Sequence, residues 1–260
     1  MNRLATLFSS SSGNCTLICN DDTNILIDAG VSASRIVAAL KEFNLDICEI
    51  DGIVVTHEHT DHIKAVGALS RKYNIPVYAN APTMSEIIAS VGDLHDRNIC
   101  ITQSLKSFGI RSMSIMPFSI PHDAVSPMGY TVDLGSSRVS VATDTGHITK
   151  SMLVNMSKSD AVLIEANHDV DMVKNGKYPY PLKKRILSDN GHLSNENAAW
   201  LATQLAIWGT KKIILGHLSD NNNSPDLAYE MAHKKLCEND IKPNSDVILK
   251  VAPKNHSCIV

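Results

Sequence analysis

Apolar positions along the chain recur at two alternating periods. Short apolar runs at 15–18, 24–27 and 52–56 read as strands, and between them Ile36, Val37, Leu40 and Phe43 gather on one face of a helix over 34–43. A helix over 63–73, a strand over 75–78, a helix over 83–90 and a strand over 109–118 continue the rhythm. The runs 129–133 and 138–142 read as a strand pair, joined at a Gly135-Ser136 turn that suits a hairpin. In the second half the pattern predicts strands over 161–165, 212–215 and 246–251 and a helix over 194–208. A last helix opens at Ser224-Pro225, where a serine cap precedes a first-turn proline. This alternation predicts an α/β fold, and the lack of a linker, low-complexity tract or sequence repeat predicts one domain over 1–260. The stretch 175–190 is poorly periodic and rich in Lys, Tyr and Pro, which predicts a functional loop.

Composition narrows the class. With 43% hydrophobic and 20% charged residues the chain has the balance of a soluble globular protein, long enough to bury a core without disulfides. Lys and Arg number 24 against 27 Asp and Glu, so any nucleic-acid contact has to come from a local basic patch rather than from net charge. Cys15, Cys19, Cys48, Cys100, Cys237 and Cys258 form no C-x-x-C pair, which excludes a zinc ribbon or redox motif and reads as reduced thiols. No run approaches the roughly 20 apolar residues of a membrane span, and the start shows no charged-then-apolar leader. The expectation is a cytoplasmic protein without a membrane partner.

The strongest chemical signal is Val55-Thr56-His57-Glu58-His59-Thr60-Asp61-His62, four potential metal ligands within six positions where a strand ends. Imidazole and carboxylate together suit zinc, manganese or iron. Residues two apart share a side, so His57 and His59 can face one ion while Asp61 and His62, at a helix onset, face a neighbour. A zincin helix is excluded, because H-E-x-x-H requires histidine where Asp61 stands. The bland alternative is a solvated His-rich turn, but three imidazoles and a carboxylate crowded behind an apolar strand are costly without a cation.

This segment resembles the His-x-His-x-Asp-His signature of the metallo-β-lactamase superfamily, which implies a four-layer αββα sandwich and a dinuclear metal site. The resemblance implies roles for four more residues in chain order. Asp28 would orient the ligand loop from behind, His122 would complete the first ion's ligands, Asp144 would bridge both ions, and His217 would complete the second ion's set. Two divalent ions about 3.5–4 Å apart, zinc or manganese with iron also accommodated, would ionise a shared water as nucleophile and polarise a carbonyl or phosphoryl oxygen. Asp61 would then serve as ligand and as part of the catalytic apparatus.

Glu165-Ala166-Asn167, followed by Gly191-His192-Leu193-Ser194, resembles the Glu and His that RNase Z-type phosphodiesterases place beside their metals. A histidine held by a carboxylate stays protonated and can protonate a leaving oxygen, which makes Glu165 and His192 the expected catalytic pair. Helix amides from Ser194 onward would add to an anion site. Between Lys174 and Arg185 five basic residues are interleaved with two tyrosines, so Lys177, Tyr178, Tyr180 and Lys183 are expected to bind substrate by stacking and charge; the alternative is a solvated basic loop.

Over nearly its whole length the chain resembles the bacterial YycJ/WalJ family, on Ser9-Ser10-Ser11-Ser12-Gly13-Asn14-Cys15, Pro121-His122-Asp123-Ala124, Leu163-Ile164-Glu165-Ala166-Asn167-His168-Asp169 and Gly191-His192-Leu193-Ser194-Asn195. Ser10 stands where related sequences tend to have Gly. The resemblance implies 5'-to-3' exonuclease action on DNA with a place in mismatch repair, and substrate contacts from Ser12 and Asn14. About seventy residues separate Asp144 from His217, too few for a β-CASP nuclease insertion, so grip would come from short loops or from a second copy in a homodimer. Nucleic acid, DNA before RNA, is the expected partner. The alternatives are a hydrolase of a small cyclic phosphodiester or thioester, and a non-catalytic binding module, which the complete ligand set disfavours.

Overall fold

The short apolar runs pair into two sheets in the computed structural model, which describes residues 2–260. In the first, β1 (Arg3–Phe8), β2 (Cys15–Cys19) and β3 (Asn24–Ile27) form an antiparallel meander. Then β4 (Gly52–Val54), β5 (Val77–Asn80) and β6 (Ile99–Thr102) add in parallel, through α1 (Ala33–Leu40), α2 (Thr60–Ile63), α3 (Val66–Tyr73) and α4 (Ala81–Val91). The second sheet follows the same plan. Its antiparallel part is β7 (Phe108–Ile110), β8 (Met113–Ser119), β9 (Met128–Asp133) and β10 (Arg138–Ala142); its parallel part is β11 (Ala161–Glu165), β12 (Lys212–Gly216) and β13 (Ile248–Val251). The connecting helices are α5 (Lys150–Met156), α6 (Val170–Asn175), α7 (Tyr180–Ile186), α8 (Asn195–Ile207) and α9 (Pro225–Cys237), and β14 (Cys258–Ile259) returns to lie antiparallel to β1.

Side chains alternate across each strand, and the central strands of both sheets are covered on both faces. Leu17, Leu26, Ile53 and Val77 pack on Ile36, Leu40, Leu69 and Ile87 of the first helical layer. Their neighbours Ile18, Ile25, Ile27 and Val54 turn the other way, onto Ile115, Tyr130, Val132 and Ile214 of the facing sheet. Val162, Ile164, Ile213 and Leu215 pack on Met152, Leu201, Leu205 and Ala232 of the second helical layer. The layers are therefore αββα, as the motif resemblance implies. Two-sided burial is also why the strands read as continuous apolar runs rather than as strict alternation. Among the described residues, no helix is long and apolar enough to cross a membrane.

The elements differ from the sequence pattern in identifiable places. The strand expected over 109–118 is two, β7 and β8, because Arg111 takes a left-handed turn at φ 46° that no Gly, Asn or Pro announces. The loop expected over 175–190 contains α7, whose Pro179 cap and first-turn Pro181 break the apolar period without hindering a helix start. The helix expected over 63–73 is interrupted at Ala65 between α2 and α3. Strands β1, β6 and β14 and helices α5 and α6 are additional.

Parallel strands release their following loops at one edge, and there the chain meshes tightly. Asn14 N donates to Asp61 O at 2.8 Å, Gly30 N to Asn14 O at 2.7 Å, and Ala29 N to His62 O at 2.8 Å. A Cβ on Gly30 would lie 1.6 Å from the Asp61 carbonyl oxygen, so only glycine allows these three loops to close together. Gly30→Ala is expected to lower stability in denaturant unfolding by about 3 kcal/mol or more. Gly109→Ala, where the nearest atom outside the adjoining chain is Met113 O at 3.8 Å, should stay within about 0.5 kcal/mol.

Candidate metal centre

Beyond β4 the chain is held from behind. The buried Tyr130 hydroxyl donates to Val55 O at 2.6 Å. Thr56 N donates to Asp28 Oδ1 and Thr56 Oγ1 to Asp28 Oδ2, both at 2.8 Å, while His62 Nδ1 lies 2.7 Å from the same Oδ2. Asp28 thus ties both ends of the 56–62 segment, as expected of the carboxylate behind the ligands. A proton on His62 Nδ1, donated to Asp28, and one on His57 Nδ1, 2.9 Å from Thr56 Oγ1, leave each Nε2 as a lone-pair donor facing the cluster. His57 Nε2 and His59 Nδ1 are 3.1 Å apart, and His59 is the cap of α2, so Asp61 and His62 emerge from one helical turn.

The remaining donors arrive from the second sheet. His122, just past β8, donates through Nδ1 to Gly191 O at 2.9 Å. Asp144 follows β10 and His217 follows β12, both with left-handed backbones, at φ 58° and 56°. Such conformations cost on the order of 1–3 kcal/mol and persist only where neighbours impose them. For His217 the neighbours are Ser9 Oγ, which accepts from its N–H at 2.8 Å, and Asn167 Nδ2, which donates to its carbonyl at 3.0 Å. Glu165, fully buried at the end of β11, places one carboxylate oxygen 2.8 Å from His192 Nδ1 and 2.9 Å from His217 Nδ1. Its other oxygen accepts from Thr145 N at 2.7 Å and Leu193 N at 3.2 Å.

These contacts bring the sequence-predicted ligands together as overlapping groups whose donor atoms lie within 4.8 Å of one another: His57, His59 and His122; Asp61, His62 and His217; and Asp144 with His57 and His62. Asp144 also joins Glu165, His192 and His217. The donors suit a divalent metal by chemistry and by need. His122 Nε2, His217 Nε2 and Asp144 Oδ2 are buried without a directed hydrogen bond, although His62 Nε2 approaches Asp144 Oδ2 to 3.1 Å. Left alone, such groups are costly; a cation satisfies all three at once.

The electrostatics show how strongly the cluster demands positive charge. Burial alone would raise Asp144, but His217 and His62 hold it well below the usual carboxylate range. Burial opposes a proton on His62, yet Asp144, Asp28 and Asp61 push it well above ordinary imidazole. His217 moves the same way against burial, to about 10, under Asp144, Asp61 and Glu165. His57 goes the other way, because burial and then the neighbouring His62 charge disfavour its cation.

The expected substrate residues are placed less uniformly. Ser12 is exposed, with Oγ 3.4 Å from Asp220 Oδ2. Asn14 is buried inside the ligand set rather than at its rim, its Nδ2 3.1 Å from His62 Nε2 and 3.5 Å from Asp61 Oδ2, because the loop mesh around Gly30 draws it inward. Lys177 is exposed, and Tyr178 accepts from Asn221 Nδ2 at 2.8 Å, tying its segment to the loop after His217. Tyr180 and Lys183 line a cavity of about 570 Å3 with Lys174, Lys184, Leu187 and Ser188.

Sequence reasoning overlooked three supports. Glu58 accepts from Val125 N at 2.7 Å and pins the loop carrying His122. Ser9 and Asn167 brace His217; both stood in segments singled out by resemblance, without a role. The third is the Arg185–Asp123 ion pair, whose partners lie 62 residues apart, beyond the reach of any spacing rule.

Comparison with known proteins agrees with this geometry. Residues 23–218, a span holding every proposed ligand, match the beta-lactamase superfamily domain. The chain is 39% identical over 224 residues to the exodeoxyribonuclease YycJ of Bacillus anthracis, covering 85% of this chain and 84% of that protein. It is 39% identical over 240 residues to the exodeoxyribonuclease WalJ of Streptococcus pneumoniae serotype 2, covering 90% and 88%. The metallo-beta-lactamase fold protein YhfI of Bacillus subtilis superposes with a TM-score of 0.75 over 100% of both chains at 16% identity, a likeness of fold. The chain accordingly belongs to the beta-lactamase superfamily, in the family of YycJ and WalJ, and is a metal-dependent hydrolase.

Proposed function

We propose that the protein is a 5'-to-3' exodeoxyribonuclease acting in mismatch repair. Two divalent ions, zinc or manganese, would be held by His57, His59 and His122 on one side and by Asp61, His62 and His217 on the other, with Asp144 between. Two such cations supply an activated water near neutral pH and polarisation of the phosphoryl oxygen. The observation that carries a phosphodiesterase reading is the Glu165–His192 pair. His192 Nδ1 sits 2.8 Å from Glu165 Oε1 and 3.6 Å from Asp144 Oδ1, and its side chain retains 16% exposure while Glu165 has none. Burial opposes its protonation, but Glu165, by charge and hydrogen bond, together with Asp144 raises the pKa above the ordinary imidazole value. With Nδ1 committed to Glu165, His192 would deliver its proton from Nε2, and its ring lies among the proposed ligands, 5.1 Å from that of His122 and 5.4 Å from that of His217 between centroids. A departing nucleotide oxygen, a poor leaving group, needs that proton, whereas a thiolate does not. The names of the 39%-identical relatives support DNA as the substrate.

Elemental analysis of the folded protein loaded with Zn2+ or Mn2+ should give two ions per chain, and 5'-labelled DNA should release labelled mononucleotide. Asp61→Ala is expected to abolish release, and Asp28→Ala to weaken metal affinity or activity by about 10–100-fold. Failure to load metal would overturn the site, and cleavage of RNA alone or of a generic diester alone would overturn the DNA reading. Because His62 and His217 hold protons that ligation must displace, loading should release protons in calorimetry, and activity should fall on acidification.

His192 sets the opposite limb. A general acid of raised pKa works below that pKa, so kcat should fall as pH rises through it. His192→Ala should remove this limb and lower kcat on DNA by about 10²–10⁴-fold, with a much smaller loss on bis(p-nitrophenyl) phosphate, whose leaving group needs no proton. Equal losses on both substrates would rule out proton donation.

A further inference from the structure

We infer that Arg185 receives the substrate's phosphate beside the metal centre and that Asp123 is its resting partner, an inference that rests on the phosphodiesterase reading. Arg185 grips the Asp123 carboxylate through Nε and Nη2, the latter 3.0 Å from Oδ1. That same Oδ1 lies 3.3 Å from His122 Nε2, so a single carboxylate oxygen separates the guanidinium from a ligand nitrogen. The backbone behind Arg185 is part of the catalytic scaffold. Ser188 N donates to Arg185 O at 3.2 Å, His192 N to Ile186 O at 3.1 Å, and Gly191 O accepts from His122 Nδ1 at 2.9 Å. The guanidinium is thus aimed by the loop that positions His192 and His122.

The pair is poised for exchange. Its side chains are 49% and 32% exposed, and a solvated ion pair of this kind contributes little, at most about 1 kcal/mol. A planar guanidinium forks onto a phosphate as readily as onto a carboxylate, so an incoming diester can take the place of Asp123. Tyr180, Lys183 and Lys184 of the same helix line the neighbouring cavity together with Lys174 of α6, and they offer flanking phosphates and a base a route away from the centre. A purely structural role would make the pair a staple between α7 and the loop after β8, and the two roles predict opposite responses at Asp123.

Binding of a 5'-labelled, phosphorothioate-linked single-stranded oligonucleotide to the metal-loaded protein, followed by anisotropy across a salt series, separates them. Arg185→Ala should raise Kd about tenfold and Arg185→Lys should recover part of the loss. Loss of one phosphate contact should also reduce the salt slope by about 0.7. Asp123→Asn should tighten binding, and should do so less when combined with Arg185→Ala. Unchanged affinity and slope in a folded Arg185→Ala protein, or weakening by Asp123→Asn, would overturn the inference. If the wild type neither binds nor cleaves DNA, the phosphodiesterase reading has failed; if it does both and Arg185→Ala matches it, only the role of Arg185 has failed.

Discussion

Charge buried at the edge of a β sandwich governs this molecule. Asp28, Asp144 and Glu165 are almost wholly inaccessible and Asp61 is partly so; all four are set among six imidazoles, and water cannot compensate the first three. Isolated, each carboxylate would be driven toward its neutral form. Here Asp144 and Glu165 are instead held below the ordinary carboxylate range despite burial, by the imidazoles around them. That balance is the electrostatic outline of a cation site. It explains why four of the proposed ligand histidines, His57, His62, His122 and His217, are braced through Nδ1 by Thr56, Asp28, Gly191 O and Glu165, which leaves Nε2 for a cation.

Holding such a cluster requires anchors that do not yield. Apart from His122, the proposed ligands follow strands that are buried on both faces, β4, β10 and β12, and Glu165 ends another, β11, so these donors hang from parts of the structure fixed by packing against a helix layer and a facing sheet. The two halves do this alike. Asp28 follows β3 and Asp144 follows β10, in each case the strand where its sheet passes from antiparallel to parallel pairing, and each has a left-handed backbone, at φ 63° and 58°. One carboxylate stands behind the ligands and the other among them, which is the main asymmetry between the halves at the centre.

Glu165 would link the proposed metal site to the proposed acid. Its Oε1 touches both His217, a proposed ligand, and His192, the proposed proton donor, so the orientation of one ring is coupled to that of the other. The segment 185–192, from the end of α7 onward, adds a second coupling, since its backbone supports His122 and carries His192 while its first residue pairs with Asp123 next to His122. The proposed ligand geometry, proton delivery and phosphate contact would therefore share one short segment.

The ligand chemistry was legible in the chain itself. Four donors within six positions behind an apolar strand have few other uses, and the α/β rhythm followed from runs that two-sided burial makes continuous. Asp28, His122, Asp144 and His217 were legible only by resemblance, because a lone Asp or His after a strand carries no local sign of its role. Tertiary structure alone decided the rest. Asn14 turned inward because Gly30 lets three loops close on it, Arg111 turned without a turn residue, and Arg185 met Asp123 across 62 positions. Local spacing records which side of a strand or helix a residue occupies; which loops then meet at the shared strand edge is set by how two sheets pack, and no single segment contains that information.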